Sequence, residues 1–290
     1  MTWVAWRQQR LQILVCLGVV VAFAAVMTWV RFGAAAIAHD PALVEATYER
    51  YVDYQRLVLL ALPVLMGTFA GAPLFAAEIE RGTHVFGLTQ GISRNRWWAT
   101  KLAVAGVPVV LGMAVLGLVS SWSDQVLGAL TYNSRLNTPM FEVQGLVPAA
   151  YTALAFTLSA ALGLLLRNGL AAMVLTIVAY VPLVGVVASV LRPSYATPVS
   201  EVAPQLPEGA WRRGMTFLDG AGNEVPSGVA GCVGRFEECL AERGLTVRWA
   251  FHPADRFWSF QAIEAGLFAA LCAALLAVGA WALHKRLRLG

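Results

Sequence analysis

The sequence predicts an all-α, polytopic membrane protein with six transmembrane helices and both chain ends on the cytoplasmic side. The first observation behind this prediction is composition, since 58% of the 290 residues are hydrophobic and only 13% are charged. A typical soluble domain has about 25% charged residues. A soluble chain of this length could not bury so much apolar surface in one core.

The second observation is the length of the apolar stretches. Each is close to the ~20 residues that a helix needs to cross about 30 Å of hydrocarbon. Membrane β-strands need only about 9–11 residues and alternate apolar with polar side chains, which these stretches do not. We therefore predict a single transmembrane domain over residues 1–290. The six predicted spans are Leu11–Val30, Leu57–Ala77, Leu102–Trp122, Val147–Leu166, Gly169–Leu191 and Ile263–Leu283.

The third observation is the placement of basic residues, which accumulate in the cytoplasmic connections of membrane proteins. With the N-terminus inside, the inner connections hold ten basic residues and two acidic ones, Glu78 and Glu80. An even number of spans then places the C-terminus inside as well. A cleaved signal peptide ending at Ala36-Ile37-Ala38 is the alternative to the first span, although Leu11–Val30 is longer than the usual signal core of about 7–15 residues.

The predicted outer connections differ in length. The first, Phe32–Gln55, has helical spacing from Pro41 onwards, which favours a helix running into span two. The segment 192–257 is polar and forms a large extracellular loop containing Cys232 and Cys239, for which both a disulfide and free thiols stay open. Between spans four and five we expect a tight inner turn at Arg167-Asn168-Gly169, with Asn-Gly supplying the positive φ.

Span two contains Gly67-x-x-x-Gly71, a spacing that permits close contact between membrane helices. A contact within the chain and dimerisation through this face are both open.

One polar connector, residues 78–100 between spans two and three, is the best candidate for a functional site. Gly91 is a natural helix stop, and Ser93 is a good N-cap for a helix over Arg94–Lys101. An ordinary basic inner loop is one interpretation. A docking surface for a cytoplasmic partner is the other, and it accounts for Glu78 and Glu80 on a side that favours cations.

The sequence lacks several motifs that would indicate an enzyme. A P-loop requires Gly-x-x-x-x-Gly-Lys-Ser/Thr, and neither Lys101 nor Lys285 lies in that pattern. Any ATPase is therefore a separate chain. His-Glu-x-x-His and Gly-x-Ser-x-Gly are absent, and the four histidines are too scattered for a metal site. We expect no catalytic residue, no metal and no nucleic-acid partner. Glu264, near the outer end of span six, is expected to pair with Arg256 or to cap its helix.

The residues from Gly71 to His84, followed by Leu88-Thr89-Gln90, Ser93-Arg94 and Arg96-Trp97 to Lys101, resemble the permease subunits of bacterial type-2 ABC exporters, the drug and antibiotic efflux family. The start of the chain, Thr2–Gln8, and the stretch Arg256–Glu264 resemble that group too.

The resemblance implies that the connector between spans two and three carries a coupling helix that docks on a separate ATPase subunit. It also implies a homodimer or pseudo-dimer of permeases in the bacterial plasma membrane. The permease would bind no cofactor itself, and ATP and Mg would be used by the partner. The residues that would form or frame the contact with the ATPase are Glu78, Glu80, Arg81, Thr83, His84, Thr89, Gln90 and Arg94.

The apolar span cores favour a lipophilic or amphipathic cargo, whose identity the sequence does not name. The alternative function is a non-transporting membrane relay or sensor module that works with an ATPase or an extracellular partner.

Overall fold

The computed structural model of the chain describes residues 2–82, 93–127, 134–226 and 236–286. Within these residues, six helices are long and apolar enough to cross a membrane, as predicted. Six crossings place both chain ends on one face, which we call the inner face in keeping with the predicted orientation. The opposite face is the outer face.

The helices are mostly longer than the predicted spans. Helix α5 keeps the predicted bounds, whereas the first, second, third and sixth spans gain extra turns at their ends. The membrane helices are α1 (Thr2–Ala36), α2 (Pro41–Gly71), α3 (Pro73–Glu80), α4 (Arg94–Leu127), α5 (Val147–Leu166), α6 (Gly169–Val186) and α8 (Phe257–Arg286). Helix α6 continues into a π-helical turn, Val187–Leu191, and a 3-10 turn, Arg192–Ser194.

The predicted helical extension before span two is confirmed, because α2 begins at Pro41. Asp40 caps this helix by accepting a hydrogen bond from the Leu43 backbone N–H at 3.2 Å, and Pro41 lies where its missing N–H costs nothing. At the inner end, Ala72 and Pro73 separate α2 from the short helix α3.

Helix α5 lies in the middle of the bundle, and the two glycines of span two permit α2 to approach it closely. A Cβ atom added at Gly67 would lie only 2.6 Å from the Cβ of Ala155. Ser159 of α5 donates a hydrogen bond to the Gly67 carbonyl at 3.2 Å. The Gly67-x-x-x-Gly71 face is therefore used inside the chain, which removes it from dimerisation.

The inner turn between α5 and α6 is tight, but the positive φ falls on a different residue than predicted. Arg167 has φ 56° and ends α5 in the left-handed conformation. Asn168 is extended instead, and its side chain accepts a hydrogen bond from the Ala171 N–H at 2.8 Å as the N-cap of α6. The asparagine acts as a cap here rather than as the left-handed turn residue.

The membrane part is all-α, and the outer segment adds a small sheet that the sequence analysis did not predict. Four antiparallel strands have the order β1-β4-β2-β3. Their bounds are β1 (Val199–Val202), β2 (Trp211–Leu218), β3 (Glu224–Val225) and β4 (Thr246–His252), with helix α7 (Phe236–Glu242) before β4. The sheet has its own core, which includes Phe217, Val247, Trp249 and Phe251.

The cysteines divide into two groups. Cys16 and Cys272 are buried and free. Cys239 is disulfide-bonded, whereas Cys232 lies outside the described residues. The pairing of Cys232 with Cys239 stays a prediction.

Candidate functional site

The connector begins with the last three residues of α3, and an ion pair joins this helix to α4. The Glu78 carboxylate lies 2.6 Å from the Lys101 ammonium, and the two side chains are 16% and 5% exposed. Lys101 also donates a hydrogen bond to the Leu74 carbonyl at 3.3 Å. Its ammonium lies 5.1 Å from the centre of the Trp97 ring, a distance typical of a cation–π contact. Lys101 therefore holds α3 and α4 in one arrangement.

Aromatic packing reinforces this junction. The rings of Phe75 on α3 and Trp97 on α4 are 5.3 Å apart, and both side chains are buried. Ser93 caps α4, as predicted, because its hydroxyl accepts a hydrogen bond from the Arg96 N–H at 3.4 Å. The cap fixes where α4 begins and so where Trp97 and Lys101 lie along it.

The end of α3 is also joined to the fifth span. Glu80 accepts a hydrogen bond from the Gly169 N–H at 2.9 Å. Gly169 is the first residue of α6, so the carboxylate satisfies one of the unpaired N–H groups at that helix start and lies at the positive end of its dipole. Through these contacts the eight-residue helix α3 is bonded to two other spans.

The eight residues that the family resemblance implies for the ATPase contact fall into three groups: two with partners in the chain, two at the described ends of the connector, and four outside the described residues. Glu78 and Glu80 have partners within the chain, which is a sufficient reason for carboxylates on this side. Arg81 is exposed and Arg94 is half-buried at the start of α4. Thr83, His84, Thr89 and Gln90 lie outside the described residues, so the docking role of the set stays a prediction.

The sequence analysis missed Lys101 and Trp97 as partners of α3. The available signal was a lysine at the start of an otherwise apolar span, where a buried charge requires a counter-charge.

A polar cavity of about 500 Å³ lies beside α3 on the inner face. Three glutamines of α1 form one wall, and α3 with Lys101 forms the other. The lining residues are Gln8, Gln9, Gln12, Pro73, Leu74, Ala77, Glu78, Arg81 and Lys101.

The outer end of the bundle holds a second cluster of charges, centred on Arg192. This guanidinium is fully buried. It donates two hydrogen bonds to Glu264, from Nε to Oε2 at 3.0 Å and from Nη2 to Oε1 at 2.9 Å. Its Nη1 donates to Oε1 of Glu142 at 2.8 Å. The hydroxyls of Tyr151 and Tyr195 donate to Glu264 at 2.5 Å and 3.1 Å.

This cluster corrects the expected role of Glu264. Arg256 does not pair with Glu264, since it donates to the Thr197 carbonyl at 2.7 Å and to Nδ1 of His252 at 3.0 Å. Glu264 instead binds Arg192, which follows α6. The sequence could not show this because the two residues are 72 positions apart.

A buried glutamine holds the segment before α5 in place next to this cluster. Oε1 of Gln261 accepts hydrogen bonds from the Leu146 and Val147 N–H groups, both at 2.9 Å. Its Nε2 donates to the Phe141 carbonyl at 3.0 Å. Since Leu146 and Val147 begin α5, Gln261 of α8 satisfies N–H groups that a helix start leaves unpaired. The fourth and sixth spans are thereby bonded at the outer face.

Taken together, the fold and its two polar clusters define a multi-pass α-helical membrane protein, in which a short helix at the inner end of span two is bonded to the third and fifth spans. Residues 17–192, more than half of the chain, match the family described as ABC-2 membrane transporter related. The chain belongs to this family and is an ABC transporter permease of the ABC-2 type. Permeases of this family are membrane subunits that have no ATP-binding site of their own. No curated protein and no solved structure matches the chain.

Proposed function

We propose that this permease is the membrane subunit of an ATP-driven exporter in the bacterial plasma membrane, powered by a separate P-loop ATPase. The ATPase docks on the inner connector, residues 78–100, and uses the ATP and Mg. Two permeases, identical or similar, form the translocation path. The cargo is lipophilic or amphipathic, in keeping with the apolar span interiors.

The observation that carries this proposal is the bonding of α3 to other spans. Glu78 binds Lys101 on α4, and Glu80 binds Gly169 on α6. Both contacts are short, and the Glu78–Lys101 pair is also largely shielded from solvent, whereas the Glu80–Gly169 bond is exposed. A force on the connector would therefore move the second, third and fifth spans together. Closure of the ATPase could shift such a connector, and the spans bonded to it, from one packing arrangement to another.

Exposed Arg81 and the polar cavity beside α3 offer a surface for the ATPase. Arg81 lies at the tip of α3, where a carboxylate of a partner can reach it without displacing any contact described above.

The outer cluster supports a closed outer end in the resting state. Arg192, Glu142 and Glu264 join the segment before α5, the turn after α6 and α8. We propose that outward opening separates these partners, and that the outer segment 192–257 acts as a lid over the exit. Proteolytic protection of this segment that stays the same with and without ATP would contradict the lid.

The test of the main proposal is affinity purification of the tagged permease from its native membrane in mild detergent, with identification of the bound chains. We expect a stoichiometric P-loop ATPase. Its turnover should fall with the charge reversal Arg81→Glu and stay normal with Arg50→Glu, an equal reversal at an exposed residue near the outer end of α2. Normal turnover with Arg81→Glu would contradict docking at α3.

A second candidate function, a non-transporting relay or sensor, is favoured by the folded outer sheet. That sheet has a core of its own, and in the proposed orientation it would be available to a partner outside the membrane. Movement of cargo in sealed vesicles separates the two functions, because a relay would support ATP hydrolysis without any cargo movement.

A further inference from the structure

The outer unit contains a polar cavity of about 530 Å³ that neither the coupling site nor the bundle explains. It lies between the sheet and the segment that precedes α5. The residues that line it are Ser134, Asn137, Leu206, Ala210, Trp211, Arg212, Arg213 and Trp249. A cavity of this size is within the range of small-molecule sites, about 300–1,000 Å³.

Two adjacent arginines of β2 line the same cavity because of a β-bulge. Neighbouring residues of a regular strand point to opposite faces. Here Arg212 pairs with Phe251 of β4 and Gly214 pairs with Ala250, so Arg213 is the extra, unpaired residue between them. A bulge of this kind re-aims a side chain, and the two guanidinium groups can meet one ligand.

The charge of the cavity is positive and unbalanced. Among the described residues that line it, none is acidic. In the described parts of the chain, neither Arg212 nor Arg213 forms an ion pair. Arg248 on the adjacent strand differs, since its guanidinium lies 3.2 Å from the Glu224 carboxylate.

An indole lies directly under one of these cations. The Arg213 guanidinium carbon is 4.7 Å from the centre of the Trp211 ring. Stacking of this type holds the guanidinium plane while its N–H groups stay free to bind an anion. Trp249 adds a second aromatic side chain to the lining.

The cavity is fixed to the membrane part of the protein. The Ser134 hydroxyl donates a hydrogen bond to the Gly209 carbonyl at 2.6 Å, joining the segment before α5 to the loop before β2. Trp211 packs against His252, with ring centres 5.5 Å apart, and His252 packs against Phe260 of α8. These contacts place the cavity above the outer end of the bundle.

From this geometry we infer that the outer cavity binds an organic anion, with a phosphate or carboxylate held by Arg212 and Arg213 and a flat, apolar body against the tryptophans. The guanidinium fork matches the oxygens of either group, and aromatic rings pack well on a flat apolar body. The anion is either the headgroup of an outer-leaflet lipid or a soluble molecule. This inference does not depend on transport or on the ATPase.

The experiment uses the full chain in nanodiscs of neutral phosphatidylcholine. The binding of 1-naphthyl phosphate is compared with that of uncharged 1-naphthol, by equilibrium titration of the tryptophan fluorescence. We expect the phosphate probe to bind at least tenfold more tightly than the naphthol. Arg212→Gln and Arg213→Gln should each lower the affinity for 1-naphthyl phosphate by roughly tenfold to a hundredfold, since each removes hydrogen bonds to a charged group. Arg212→Lys should show a smaller loss, because it keeps the charge but loses the fork.

The matched control is Arg248→Gln, which removes the same charge from the same sheet outside the cavity and should leave the affinity unchanged. A second titration in nanodiscs that contain phosphatidylglycerol distinguishes the sources. Weaker binding of the probe there, seen in the wild type and absent in the arginine variants, identifies a lipid headgroup. Unchanged binding identifies a soluble anion. Equal binding of the two probes, or an equal loss in Arg248→Gln, would overturn the inference.

Discussion

Replacing Arg192 by methionine tests whether the outer cluster holds the bundle together. Methionine keeps the length and apolar stem of the side chain but removes the guanidinium. It leaves the carboxylates of Glu264 and Glu142 buried without their cation, since these side chains are 0% and 2% exposed. A buried charge that loses its partner is poorly solvated, and the folded state bears this cost.

The magnitude follows from the contacts. The guanidinium makes three hydrogen bonds to carboxylate oxygens, two to Glu264 and one to Glu142. At about 1.5–3 kcal/mol for each charged hydrogen bond, the gross loss would be roughly 4–9 kcal/mol. Measured losses for removing one partner of a buried pair are about 3–5 kcal/mol, and we adopt this lower range. It corresponds to a fall in melting temperature of roughly 6–20 °C.

The assay is thermal unfolding in detergent followed with a thiol-reactive dye. It suits this protein because Cys16 and Cys272 are free and buried, so they react when the chain unfolds. The control is Arg248→Met, whose ion pair with Glu224 is largely exposed and is expected to contribute only about 0–1 kcal/mol.

A second variant separates the loss of the pair from a general packing defect. Adding Glu264→Gln to Arg192→Met removes one of the stranded charges, so the double variant should recover part of the lost stability. A melting temperature within about 2 °C of the wild type for Arg192→Met alone, which corresponds to less than about 1 kcal/mol, would refute the reasoning. So would a double variant less stable than the sum of the two single changes.

Three further predictions use the same melting assay. Lys101→Met strands the Glu78 carboxylate and should cost about 2–4 kcal/mol, with partial recovery when Glu78→Gln is added. Gly67→Leu places a side chain where the Cβ alone would lie 2.6 Å from the Cβ of Ala155, so it should cost at least about 1–3 kcal/mol through overpacking. Burial lowers the pKa of His252 below its usual value, so the unfolded chain binds more protons than the folded one as the pH falls below about 6.5. The free energy of unfolding should therefore be constant with respect to this residue above about pH 6.5 and should decrease as the pH falls below it. His252→Gln should make the melting temperature less dependent on pH in that range.

Each of these three has a control in the chain. Lys285→Met removes an exposed lysine near the inner end of α8 and should leave stability unchanged. Gly18→Leu adds a side chain where nothing lies within 4 Å of the new Cβ. His39→Gln changes an exposed histidine and should leave the pH dependence as it is. A control that loses as much stability as its partner variant would show that the proposed contact is not the cause.

Much of the membrane fold follows from local sequence properties. An apolar run of about 20 residues has few alternatives to a membrane helix, because its backbone must satisfy its own hydrogen bonds in lipid. The six spans, the helix from Pro41 and the cap at Ser93 were predictable for this reason. Each depends on residues within a few positions of one another.

The candidate site was predictable in position but not in its contacts. Residues 78–82 stand out as a polar group at the end of a span. The partners of Glu78 and Glu80, namely Lys101 and Gly169, lie 23 and 89 residues further along the chain. Only the packing of α3 against two other spans brings them together. The outer sheet escaped prediction because β1 and β3 have only four and two residues, and because most of β2 alternates poorly between apolar and polar residues.

The sequence by itself determined that this protein lies in a membrane with six helices, since burying apolar length is a local and additive property of each segment. Tertiary structure alone decided which charges meet. In the folded chain Gly67 packs against α5, and Glu264 pairs with Arg192 instead of Arg256. A β-bulge brings the neighbouring Arg212 and Arg213 to the same cavity. A buried charge is stable only beside a specific partner, and that partner is fixed by how distant helices and strands pack.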